Sequence, residues 1–164
     1  MNYTAAVITI SDKGARGERV DTSGPNLCEI LKRRGFDVVH TSIIPDEMDD
    51  IKAELIRCCD VEKVALVLTT GGTGFSPRDI TPEATLQVIE RRAPGITEAM
   101  RAESMRITPK GCLSRSEAGI RGRTLIINLP GSKKASEENI LAVIDPVEHG
   151  LQMLLSEGSA DCAK

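Results

Sequence analysis

Four short runs of apolar and β-branched residues, AAVITI (5–10), DVVHTSII (37–44), VALVLTT (64–70) and TLIINL (124–129), are separated by segments with helical apolar spacing. Nearly continuous apolar runs of this length are expected of strands covered on both faces, as in a parallel sheet. Between them, Pro25 to Arg34 puts Leu27, Ile30 and Leu31 on one helical face and stops before Gly35, and Asp46 to Cys59 does the same with Met48, Ile51, Leu55 and Cys59. Thr81 and Pro82 are expected as N-cap and first residue of a third helix reaching Arg92. Near the C-terminus Ile140, Ile144, Val147, Leu151 and Leu154 form an apolar stripe that Pro146 is placed to interrupt. Ile107 to Ile120, with Gly111 and Gly119, can hold a small hairpin. Strands alternating with helices imply right-handed βαβ units, so the expected fold is a single-domain, three-layer α/β architecture with a mainly parallel sheet and a small hairpin.

A chain of 164 residues with no Ser/Pro/Gly-rich linker is expected to form one domain over 1–164. A net charge of −3, with Tyr3, Phe36 and Phe75 as the aromatic residues, provides neither the field nor the stacking platforms of a nucleic-acid binder. The N-terminal apolar run is too short for a membrane span or a secretory signal and follows no basic segment, so a cytoplasmic protein without a membrane partner is expected. Cysteines 28, 58, 59, 112 and 162 include no CxxC pair and are odd in number, which fits reduced thiols. His40 and His149 have no companion ligand cluster, which argues against a zinc site or a serine-type triad.

In a sheet of this kind ligands bind beyond the carboxyl ends of the strands. Four segments converge there: Ser11 with Asp12, Pro45 with Asp46, the loop TTGGTG after the third strand, and Asn128 to Ser132. In the loop, Gly71, Gly72 and Gly74 permit positive φ and close approach, so that successive N–H groups can turn toward phosphate oxygens, with Thr69, Thr70 and Thr73 adding hydroxyls. The spacing matches neither GxGxxG nor a Walker A loop. A second anion candidate is NLPGSKKAS, where Gly131 turns the chain, Ser132 can cap a helix, and Lys133 and Lys134 stand beside its N-terminus.

Asp79 precedes a helix start that Thr81 already caps, which leaves its carboxylate free for a ligand, for Arg78 or for an Asx-turn. Asp46 can cap the second helix or serve the site. A carboxylate about 4 Å from bound phosphate would repel each unit charge by ~4 kcal/mol at an effective dielectric of 20. A bridging divalent cation reverses that sign, and Mg²⁺, which combines carboxylate, phosphate and water ligands, is the economical choice. Ser114 with Arg115, and Arg121 with Arg123, can also reach an anion, although loop arginines usually do nothing specific.

Taken together, TTGGTGFSPRDITPEAT (69–85), IPDE (44–47), LSR (113–115), GIRGRTLIINLPGSKKAS (119–136) and DTSGPNL (21–27) resemble the molybdopterin adenylyltransferase family, the MogA/MoaB type and the G domain of gephyrin. The resemblance runs over roughly residues 5 to 155 and leaves SEGSADCAK (156–164) outside as a frayed tail. It implies a compact α/β domain, usually a homotrimer, that uses ATP as co-substrate and Mg²⁺ to adenylylate the phosphate of molybdopterin, with a molybdenum insertase as a further partner. By resemblance, Asp46 and Asp79 are the catalytic and metal-holding acids. Thr70, Gly71, Gly72, Thr73 and Gly74 form the nucleotide loop, with Ser11 beside it. Ser114, Asn128, Pro130, Gly131, Ser132 and Lys133 form the molybdopterin side. The variable segment Ser116-Glu117-Ala118 and Ser76 depart from the gephyrin-like pattern. A carrier that binds the pterin without turnover is the competing expectation.

Overall fold

A computed structural model describes residues 2–156; the expected frayed tail lies, beyond Ser156, outside the described residues. Among the described residues six strands form one sheet: β1 (Thr4–Ile10), β2 (Asp37–Ile44), β3 (Leu66–Thr70), β4 (Arg91–Arg92), β5 (Ala118–Arg121) and β6 (Thr124–Leu129). The same described residues hold six α-helices: α1 (Asp12–Ala15), α2 (Ser23–Arg33), α3 (Met48–Ile56), α4 (Thr81–Val88), α5 (Pro94–Ile107) and α6 (Lys133–Leu155). The strand order is β2-β1-β3-β6-β5-β4; the first four are parallel, β5 runs antiparallel to β6, and β4 runs antiparallel to β5 and so along the first four.

Period-two alternation divides the sheet between two cores. Val7, Leu66, Leu68, Leu125 and Ile127 face α2 and α6 together with Met100 of α5. Ala6, Ile8, Val67 and Ile126 face α3 and α4. Leu31, Leu55, Leu68, Ile126 and Ile140 are fully buried, and side chains of that size each stabilise the fold by about 1.5–3 kcal/mol through burial. The three-layer architecture expected from the sequence is therefore present.

Several local expectations are corrected. β2 is an edge strand: it pairs only with β1, and its residues alternate between exposed and half-buried, so it is not covered on both faces. The third helix stops at Val88 because Ile89 is extended, and Arg91–Arg92 pair with β5 instead. Gly119 makes that pairing feasible, since a Cβ there would stand 2.5 Å from Ile89 Cδ1 and 2.7 Å from the Arg91 carbonyl. The hairpin lies one strand later than expected. β5 and β6 pair across Gly122, whose φ is +56°, while most of 107–117 is helix end, a 3₁₀ turn (Pro109–Leu113) and loop. Pro146 does not interrupt α6, because Ile140, Val143, Ile144, Val147 and Leu151 anchor both of its sides in the core.

Candidate functional site

The sheet order makes the ends of β1 and β3 the place where a ligand crevice opens. The chain leaving the end of β1 passes to α2 on one face, and the chain leaving the end of the adjacent β3 passes to α4 on the other, so the two connections diverge. Ser11 follows β1, and the glycine loop follows β3.

Backbone geometry aims the loop. Gly71 has φ +105°, and a Cβ there would lie 2.3 Å from the Ile10 carbonyl. Gly72 has φ +67°, and a Cβ there would lie 2.2 Å from Thr81 Oγ1 and 3.1 Å from Asp46 Oδ1. Only glycine fits either position without strain. Thr81 does not cap α4 as expected; it is the first helical residue, and its buried hydroxyl donates to the Gly71 carbonyl at 3.0 Å while its N–H donates to Gly72 O at 3.1 Å. With both carbonyls drawn onto Thr81, the N–H groups of Gly72, Thr73 and Gly74 have no protein acceptor among the described residues. Such a run of free amides suits an anion.

The second turn is tied to the first. Thr70 Oγ1 donates to the Pro130 carbonyl at 2.7 Å and lies 2.6 Å from Ser23 Oγ, which lies 3.1 Å from Ser136 Oγ. This buried hydroxyl chain joins α2, β3 and the start of α6. Ser132 caps α6 by accepting the Ala135 N–H at 3.0 Å.

The acids are arranged by partners the sequence does not announce. Asp46 is buried and does not cap α3, whose N-cap is Glu47 without a side-chain bond. Its Oδ2 accepts the Asp12 N–H at 2.9 Å, and its own N–H donates to Asp12 Oδ1 at 3.0 Å. Arg78 forks onto Asp12 at 3.0 Å through two nitrogens and reaches Glu47 at 2.7 Å. The Asp46 carboxyl titrates above the ordinary aspartate range, chiefly through burial and further through the nearby charges of Asp12 and Asp79. Asp12 is held below that range by the hydrogen bonds from Arg78 and from the Asp46 N–H. Asp79 forms the local turn left open by the sequence, accepting the Ser76 N–H at 3.1 Å through Oδ2 and donating its own N–H to Ser76 O at 2.9 Å. Asp46 Oδ1 and Asp79 Oδ1 accept no hydrogen bond among the described residues. Two carboxylates in one cleft, each with an oxygen to give, fit a hard divalent cation that shares phosphate ligands.

Two clefts adjoin. One, of about 430 Å³, is lined by Ser11, Asp21, Thr22, Asp46, Thr70, Gly71 and Ser132, among others. The other, also about 430 Å³, is lined by Thr73, Gly74, Lys110, Leu113, Ser114 and Pro130, among others. Gly72, Asp79 and Gly131 belong to both walls. Of the residues expected on the nucleotide side, Thr73 and Gly74 line the second cleft, and of those expected on the pterin side, Ser132 lines the first. Asn128 reaches neither: it is fully buried, its amide donates to Thr69 Oγ1 and Thr85 Oγ1, and its Oδ1 accepts the Glu117 N–H. It is a core polar bridge. Lys133 is exposed and lines neither cleft.

Arg115 is spent on the loop, not on a ligand: Nε donates to the Gly74 carbonyl at 2.8 Å, Nη2 to the Asp79 carbonyl at 2.6 Å, and Nη1 pairs with Glu83. Arg121 pairs with Asp60, and Arg123 donates to the Leu155 carbonyl. His40, Glu54 and Cys58 bring ligand-type atoms within 4.8 Å of one another, but Arg57 Nη2 stands 2.6 Å from His40 Nε2 and 3.2 Å from Glu54, so a cation would have to displace a guanidinium. Burial raises the Glu54 pKa, yet the hydrogen bonds from Arg57, Ser42 and His40 outweigh it and hold the group at about 2. No helix among the described residues is long and apolar enough to cross a membrane.

Residues 6–149 match the family described as a probable molybdopterin binding domain. The chain is 41% identical to the molybdopterin adenylyltransferase of Helicobacter pylori strain J99 over 151 residues, covering 91% of this chain and 86% of that one. It is 39% identical to the gephyrin of Dictyostelium discoideum, covering 94% of this chain but only 23% of that protein. The crystal structure of the molybdopterin biosynthesis enzyme MoaB from Thermus thermophilus superposes with a TM-score of 0.88 at 45% identity, covering 93% of this chain and 96% of that one.

Proposed function

The chain belongs to the probable molybdopterin binding domain family, and from that membership we propose that it is a molybdopterin adenylyltransferase of molybdenum cofactor biosynthesis. It transfers the adenylyl group of ATP to the phosphate of molybdopterin and releases pyrophosphate. The observation that carries this reading is the shared wall: two clefts meet at Gly72, Asp79 and Gly131, and the first also holds Asp46.

In this reading the ATP phosphates lie on the free amides of the glycine loop and the pterin phosphate enters from the second cleft. A phosphate monoester with a second pKa of about 6 is mostly dianionic at pH 7, so its oxygen attacks the α-phosphorus without a protein base. The bond from that phosphorus to the bridging oxygen breaks, and the electron pair leaves with pyrophosphate. Asp46 and Asp79 would hold Mg²⁺, whose charge offsets that of the phosphates during transfer. The protein's own contribution is position and preorganised donors, which is where most of the barrier reduction in phosphoryl-type transfer arises. Thr81 and Arg115 keep the loop in shape, and Arg78 keeps Asp12 and hence Asp46 in place.

A homotrimer in the cytoplasm that hands its product to a molybdenum insertase completes the proposal. Exposed Leu141, Met105 and Ile107 on and beside α6 and α5 are apolar surface available for assembly, and the solution mass tests it. The reaction is tested by incubating the protein with molybdopterin, ATP and Mg²⁺. Equal amounts of adenylylated pterin and pyrophosphate are expected; tight pterin binding without pyrophosphate would identify a carrier instead.

A further inference from the structure

We infer that Arg115 is a positioning residue that couples the second cleft to Asp79, an inference that rests on the proposed adenylyl transfer. Arg115 follows Ser114, which lines the second cleft, and precedes β5. Three of its donors grip the segment that carries the glycine loop and Asp79, and a fourth reaches α4. Its N–H donates to Thr73 O at 2.9 Å, Nε to Gly74 O at 2.8 Å, and Nη2 to Asp79 O at 2.6 Å, while Nη1 pairs with Glu83 on α4.

The remaining bonds of Asp79 are local. Its N–H and its carboxylate both engage Ser76 inside the same loop, so the bond from Arg115 is the one that fixes Asp79 against the rest of the molecule. The Glu83 carboxylate uses one oxygen on Arg115 and leaves the other buried without a partner. Arg101 in turn holds the Ser114 carbonyl at 3.3 Å and the Ser116 carbonyl at 3.0 Å from α5, so the strut on which Arg115 stands is braced from behind. A phosphate-bearing ligand that contacts Ser114 therefore acts on the same short segment that aims the metal-holding acid. Pterin binding and metal·nucleotide binding should assist each other, with a coupling of about 5–150-fold, the usual range for linked sites.

Arg115→Lys tests this, because lysine keeps the charge but cannot reproduce the planar fork that holds Gly74, Asp79 and Glu83 together. Three quantities are read: amide hydrogen exchange of Ser76 and Asp79 in the ligand-free protein, Mn²⁺ binding in the presence of ATP followed by electron paramagnetic resonance, and the shift of that binding on adding molybdopterin. In the variant, exchange at the hydrogen-bonded amides of Ser76 and Asp79 should accelerate about tenfold or more through local opening. Half-saturation by Mn²⁺ should rise at least about fivefold, and the gain from molybdopterin should vanish. If Arg115→Lys fails to fold, Glu83→Gln, which leaves the carbonyl bonds, should show the same effects in smaller measure. Wild-type exchange and wild-type Mn²⁺ half-saturation in a folded variant would overturn the inference, since a merely structural residue lowers the melting temperature without moving either. Should the wild-type protein bind no Mn²⁺·ATP at all, the proposed function fails, and the exchange measurement, which needs no ligand, still decides the role of Arg115 in holding the loop.

Discussion

Asp79→Asn should change the sign of its effect on nucleotide binding according to whether a divalent cation is present. The Asp79 carboxylate oxygen Oδ2 lies 2.9 Å from where a Cβ on Gly74 would stand, so a phosphate seated on the loop amides lies within a few ångströms of it. At about 4 Å and an effective dielectric of about 20, each unit of phosphate charge is repelled by ~4 kcal/mol. The cleft opens to solvent, which reduces the felt repulsion to about 1–2 kcal/mol, or roughly five- to thirtyfold in affinity. The asparagine retains an oxygen for the Ser76 N–H, so the loop keeps its turn. Titration calorimetry with ATP in EDTA should therefore show tighter binding by the variant than by the wild type. In Mg²⁺ the order should reverse, and adenylyl transfer should fall by at least about a hundredfold, the scale on which removal of one electrostatic contact in an active site is felt. A variant that binds ATP more weakly in both conditions, or that turns over at near wild-type rate, would refute the assignment of Asp79 to the metal.

Gly71→Ala introduces a Cβ 2.3 Å from the Ile10 carbonyl at φ +105° and should cost at least about 2 kcal/mol in urea unfolding while abolishing ATP binding. Thr81→Val removes the hydroxyl from the buried Gly71 carbonyl; an unpaired carbonyl there should cost about 1–3 kcal/mol and raise the KM for ATP in steady-state assays. Glu54 is depressed from 4.5 to about 2, so its contribution is present above its unfolded pKa and is lost as pH falls through about 2. Glu54→Gln should lower stability at pH 7 by at most about 3 kcal/mol and flatten its decline between about pH 5 and 2, with adenylyl transfer unaffected, as measured by denaturation at stepped pH.

The strands and the main helices were legible because apolar runs and helical spacing are local signals. β2 begins and ends where its apolar run does, yet its edge position depends on strand order, which spacing does not encode. α5 buries little more than Thr97 and Met100, too few residues to print a stripe. The convergence of Ser11, Asp46, the glycine loop and Gly131 followed from the rule that ligands gather at strand ends, and it is where the first cleft lies. The division of residues into nucleotide and pterin sides came from family resemblance, and the two clefts cut it differently: the loop passes from one to the other at Gly72, so Thr73 and Gly74 line the second, while Ser132 at the start of α6 lines the first. Asn128 stood at a strand end but points into the core, where its carboxamide joins Thr69 and Thr85. Thr81 was expected to cap its own helix, and its partner is instead a carbonyl ten residues earlier. Arg115 and Asp12 act on backbone groups far away in sequence, and no local pattern marks such a partner.

A crystal structure of the protein with molybdopterin, Mn²⁺ and a non-hydrolysable ATP analogue measures the central arrangement directly. Anomalous scattering should place the manganese against the carboxylates of Asp46 and Asp79, between the nucleotide on residues 71–74 and the pterin phosphate near Ser114. Manganese bound away from both carboxylates, or the two ligands on opposite sides of the sheet, would contradict it.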